Sequence, residues 1–86
     1  MKIRLLVTGR AYHQAATMPA ELELGEGATV REAIGVITAL LPAASPLAAS
    51  ALIAVGGEHV GVVGRFDDRP LRDGDELMII APVAGG

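Results

Sequence analysis

The chain has 86 residues, 51% of them hydrophobic, with seven basic against ten acidic side chains for a formal net charge of −3. That describes one small domain with enough apolar content to close a core, so a disordered segment is excluded. The acidic balance argues against nucleic acid, whose phosphates call for a basic face, and the absence of cysteine excludes disulfides, thiolate catalysis and Cys-ligated metal or iron–sulfur clusters.

In chain order, Lys2 to Thr8 alternates in part. Ile3, Leu5 and Val7 fall on one face and Lys2, Arg4, Leu6 and Thr8 on the other, the pattern of a half-buried strand. Leu6 is the apolar residue on the polar face. The opening Met1-Lys2-Ile3 leads directly into this strand rather than into a signal peptide, and no stretch has the length of a membrane span. A cytoplasmic location with no membrane partner is therefore expected. Residues 9–19 are a polar, small-residue connection containing Arg10, Tyr12 and His13.

Glu21-Leu22-Glu23-Leu24 alternates as a short second strand with both leucines inward. Gly25-Glu26-Gly27 is a turn, and Thr29-Val30-Arg31-Glu32 fits a capping box, with reciprocal bonds expected between Thr29 and Glu32. Val30, Ala33, Ile34, Ile37 and Leu41 recur at helical spacing as one apolar stripe. Gly35 in the interior costs about 1 kcal/mol relative to Ala, and close packing of the helix on the sheet is the expected reason for it. Pro42 and Pro46 end the helix. Residues 42–49 have room for a further short helical turn. Ala51 to Val55 is a strand-length apolar run, Gly56-Gly57 a turn, and His59 to Val63 a short strand weakened by Gly61 and Gly64. Leu71 is assigned to the core.

The last sixteen residues concentrate the functional signal. Asp73-Gly74 is a turn dipeptide. Leu77 to Ala81 is a continuous apolar run, the pattern of a strand buried on both faces, although period-2 alternation separates Leu77 and Ile79 from Met78 and Ile80. Pro82 lacks the N–H that a ladder needs, so pairing should stop there. The domain is expected to span residues 1–81, with 82–86 as a flexible tail. Val83-Ala84-Gly85-Gly86 holds no side chain larger than valine, and without Cβ atoms Gly85 and Gly86 fit a narrow channel. The α-carboxylate of Gly86, with an intrinsic pKa of roughly 3.3–3.7, is ionised at neutral pH and can be activated as an acyl-adenylate.

Leu71-x-Asp-Gly-Asp-Glu, an apolar strand, Pro82-Val83-x-Gly-Gly and the chain end together resemble the C-terminus of the MoaD/ThiS-type ubiquitin-like sulfur carriers, nearest in likeness to the small subunit of molybdopterin synthase. The resemblance implies an α+β chain of β-grasp fold, a mixed four- to five-stranded sheet with one main helix, and the first and last strands parallel at its centre. It implies that an ATP-dependent, ubiquitin-activating-type adenylyltransferase adenylates Gly86. The adenylate becomes a thiocarboxylate that donates sulfur, and Gly85 is carried over as the second residue of that site. No cofactor is bound by the chain itself; ATP is consumed by the activating enzyme. The second partner implied is the large catalytic subunit of molybdopterin synthase. Leu6, Met78 and Ile80 would form an apolar docking patch, Pro82, Val83 and Ala84 the inserted tail, and Arg10 matches an Arg that family members carry after the first strand.

The residues alone leave alternatives open. The acceptor could be the thiazole of thiamine or a cysteine precursor; the chain could be a protein modifier joined through Gly86 to lysines, or a binding module with an incidental Gly-Gly end. His13 and His59 lack partners at metal-ligand spacing, so no metal site is expected. Asp73, Asp75 and Glu76 read as the edge of a solvated turn rather than as paired catalytic carboxylates, and no catalytic site of the chain's own is evident.

Overall fold

The structure, a computed structural model, describes residues 1–9, 19–41 and 47–81. Along the chain they form β1 (Lys2–Gly9), β2 (Glu21–Glu23), α1 (Val30–Leu40), β3 (Leu52–Val55), β4 (Glu58–Val62), β5 (Arg65–Phe66) and β6 (Glu76–Ala81). The strands make one mixed sheet in the order β2-β1-β6-β3-β4-β5. β1 and β6 run parallel, from Arg4 opposite Glu76 to Gly9 opposite Ala81, and the other pairings are antiparallel. Among the described residues the sheet thus has six strands, not the four or five expected. The extra one is β5, a two-residue partner of β4 that is too short to leave a periodic signal in sequence.

Alternation along the strands places Ile3, Leu5, Leu22, Ile53, Leu77 and Ile79 on one face of the sheet. There they meet the helix stripe Val30, Ala33, Ile34 and Ile37 in a single core. Leu41, Leu24 and Leu71 close its margins, each less than a tenth exposed. Each such aliphatic side chain contributes about 1.5–3 kcal/mol by leaving water. With no aromatic residue among the fully buried ones of the described residues, branched aliphatics fill the space between the layers. The expectation that β6 is buried on both faces is corrected. Leu77 and Ile79 are fully covered by the helix layer, whereas Met78 and Ile80 are half-buried on the open side.

The helix starts at Thr29, whose Oγ1 accepts from the Glu32 N–H at 3.4 Å. The reciprocal bond of a capping box is not among the hydrogen bonds of the described residues. The other free amides are met from the loop before the last strand: Val30 N–H donates to Arg69 O at 2.9 Å and Arg31 N–H to Asp68 Oδ1 at 2.9 Å. Capping here is largely tertiary, through a segment some forty residues away in sequence. At the other end Leu41 is extended, with φ −89° and ψ 148°, as the residue before a proline must be.

Two glycines behave differently from each other. Gly35 was expected to let the helix pack closely on the sheet, but it is exposed and a Cβ there would meet nothing within 4 Å. Gly61 has φ +140°, and a Cβ there would lie 2.6 Å from Arg65 O and Phe66 Cα. It sits beside the register shift in the β3–β4 ladder, and its missing side chain lets β5 approach β4. In urea denaturation Gly35→Ala should raise stability by about 0.5–1 kcal/mol. Gly61→Ala should lower it by about 2–4 kcal/mol, backbone strain and overlap acting together.

Candidate functional site

The candidate site is the open face of the sheet together with the strand that leads to the C-terminal residues. β6 lies between β1 and β3, so its backbone is paired on both sides, and Ala81 ends it opposite Gly9. An acidic turn fixes where β6 begins. Gly74, at φ +86°, allows the reversal that any residue with a Cβ would resist. Lys2 N–H donates to Asp73 Oδ1 at 2.7 Å, Gly74 N–H to Lys2 O at 2.8 Å, and Arg4 N–H to Asp75 O at 2.8 Å. Asp75 also closes the turn on itself, accepting from the Arg72 N–H through Oδ2 at 2.8 Å. These carboxylates therefore hold backbone N–H groups, as the reading of a structural turn requires, and set the register of the parallel pair.

Read across the strands, the open face carries two apolar rows. One runs Leu6, Met78, Ala54, His59; the next runs Thr8, Ile80, Leu52, Val62, Arg65. Leu6 is 44% exposed and Leu52 40%, while Met78, Ile80, Ala54 and Val62 are half-buried. The structure thus brings together the three docking residues named from sequence that it describes, Leu6, Met78 and Ile80. It adds Leu52, Ala54 and Val62, which sequence reasoning placed in strands without assigning their outward phase. Alternation in 52–55 was hidden because both faces of β3 carry apolar residues. A third row is charged. Arg4 stands between Glu21 and Glu76, with its guanidinium 3.9 Å from the Glu76 carboxylate, and Lys2 is opposite Glu23.

Arg10, Pro82, Val83, Ala84, Gly85 and Gly86 lie outside the described residues. Among those described, no group of three or more His, Asp or Glu is arranged to hold a metal, and no helix is long and apolar enough to cross a membrane. A shallow depression beside the start of β6 is lined by Val55, Gly56, Arg69, Pro70, Arg72 and Asp75. Arg69 there is engaged by Glu58 at 2.8 Å. Their hydrogen bond holds the Glu58 carboxyl below its usual range and raises Arg69. Both groups are exposed, so the pair screens readily and its part in stability is small. Its sign is that of a depressed carboxylate: present above the unfolded pKa and lost as pH falls through the folded one.

The opposite phases of two adjacent residues give a direct check on this face. Ile80→Arg should leave a folded domain, its charge reaching water on the open side. Ile79→Arg, at a position with no exposure, should not fold. Burying an unpaired charge costs several kcal/mol, a large part of the stability of so small a domain. Circular dichroism and thermal melts of the two variants separate the faces.

Residues 5–86 match the family model described as "ThiS family". The chain is 31% identical over 86 residues to the "Molybdopterin synthase sulfur carrier subunit" of Chlamydomonas reinhardtii, covering 100% of both proteins. No solved structure matches. The chain belongs to the ThiS family, and its fold is a β-grasp.

Proposed function

We propose that this member of the ThiS family is a sulfur carrier, the small subunit of a molybdopterin synthase, with Gly86 as the group that carries sulfur. The observation that supports it most is continuity. The family match extends through residue 86, and the strand leading there is a central one, beside an apolar face that no other layer of the described residues covers. The similarity to a molybdopterin synthase sulfur carrier subunit over both full lengths favours the molybdopterin branch over thiazole or cysteine formation.

In this reading an adenylyltransferase binds the open face and receives the tail. A Gly86 carboxylate oxygen attacks the α-phosphorus of ATP and pyrophosphate leaves; hydrosulfide then attacks the acyl carbon and AMP leaves, giving the thiocarboxylate. The large catalytic subunit of the synthase takes the same face and the loaded tail, and sulfur passes to the pterin precursor. The chain supplies positioning and no acid–base machinery. β6 fixes the point from which the tail starts, while the apolar rows fix the partner. Holding reacting groups in place in this way is worth many orders of magnitude in rate. Because one face serves both enzymes, activation and donation must occur in separate encounters.

Deletion of Gly86 tests the assignment. Incubated with ATP, a sulfur source and the cognate activating enzyme, the intact chain should gain the mass of one oxygen-to-sulfur exchange. The truncated chain, folded to the same extent, should not. Equal thiocarboxylate yields by mass spectrometry would falsify the role of Gly86. Ladders of lysine-linked adducts in place of a free thiocarboxylate would point to protein modification instead.

A further inference from the structure

The open face has charges at two diagonal corners, and they differ in how far the chain itself compensates them. At the corner where β1 begins, Lys2 is opposite Glu23 and Arg4 lies between Glu21 and Glu76. Arg4 is 3.9 Å from Glu76, and Glu23 is 3.9 Å from the N-terminal ammonium. At this corner each cation has an acidic residue opposite it in the ladder, with Arg4 also in an ion pair. At the other corner stands Arg65, on β5, opposite Val62 at the end of the row Thr8, Ile80, Leu52, Val62. It is exposed, and among the described residues it has no ion pair. Neighbouring strands are only about 4.8 Å apart, so a surface that covers Val62 and Leu52 reaches Arg65.

We propose that Arg65 orients the partner on the docking face, by pairing with a carboxylate at the edge of an otherwise apolar partner surface. The proposal rests on the docking reading above and specifies the chemistry of the surface that fits. An apolar contact alone is non-directional and leaves rotation about the face poorly specified. A cation at its rim with no acidic residue opposite it in the ladder removes that ambiguity, because covering it without an acceptor is costly and meeting it with a carboxylate steers the encounter. The chain carries a net charge of −3, so its general field favours basic partners. A carboxylate placed over Arg65 is therefore a local feature that distinguishes the correct pose from a merely basic surface. Gly61 makes this possible, since its lack of a side chain is what lets β5 close against β4 and deliver Arg65 to the row.

The test is association of the full chain with its cognate large synthase subunit, followed by stopped-flow fluorescence at low and high salt. Arg65→Glu should slow association by about tenfold at low ionic strength, the difference shrinking as salt screens the rim. Arg65→Lys should retain most of the rate. Arg72→Glu makes the same change in net charge, at the turn beyond the other end of β6, and should leave the rate within about twofold of the parent, a margin small beside the tenfold effect of a rim charge. Equal effects of Arg65→Glu and Arg72→Glu, or no effect of either, would overturn the orienting role. Ile80→Arg, measured alongside, separates this from the broader reading. If it binds like the parent, the open face is not the docking face at all. If it alone loses binding, the face stands and the role of Arg65 does not.

Discussion

The parallel pairing of β1 with β6 is the constraint on which the other features of this fold depend. Its two strands come from opposite ends of the sequence, and nothing in their alternation fixes one register over the next. The turn at residues 73–75 does so. Asp73 accepts from the Lys2 N–H, Gly74 donates to Lys2 O and Arg4 donates to Asp75 O, so the ladder is aligned before its first regular pair. A slip of one residue would exchange Leu77 and Ile79 for Met78 and Ile80 under the helix. It would bury the outward apolar row and expose the core. The acidic residues that look like a functional cluster in sequence thus act on function by fixing which side of β6 faces out.

Once the register is set, one alternation yields both halves of the molecule. The inward residues of the sheet meet the stripe of α1 and close a dry core. The outward residues remain partly exposed in two rows that cross four strands. A contiguous apolar surface of this kind is what the docking role in the proposed function requires. The helix cannot cover it, since it occupies the other layer. The division suits the chain's part in the proposed chemistry, which is to present a surface and a fixed starting point for the tail.

Much of this was legible in the sequence where period and composition agree. The stripe of α1, the inward residues of β1 and the turn at Asp73-Gly74 follow from spacing and glycine alone, while spacing in β6 groups Leu77 with Ile79 without fixing which pair meets the helix. The features that were missed share a physical cause: each is set by a partner distant in sequence. Asp68 caps α1 from a loop that no local motif connects to it, which is why a reciprocal capping box was expected instead. β5 exists because Gly61 adopts φ +140° and leaves room for Phe66; from sequence that glycine looked only like a weakness in β4. Leu52 and Val62 were placed in strands, but their phase comes from pairing with Ile80 and with each other. Gly35, exposed and without a neighbour, has no structural explanation within the described residues.

In the proposed function the chain is a donor whose sulfur leaves through the C-terminal glycine to a small-molecule acceptor. The most direct measurement is a single turnover with chain carrying radiolabelled sulfur at Gly86, mixed with the cognate large subunit and the pterin precursor of molybdopterin. The label should leave the chain, which returns to its carboxylate mass, and should appear in the pterin product. Label that stays on the chain in the presence of the precursor, or a chain recovered attached to lysines of other proteins, would contradict it.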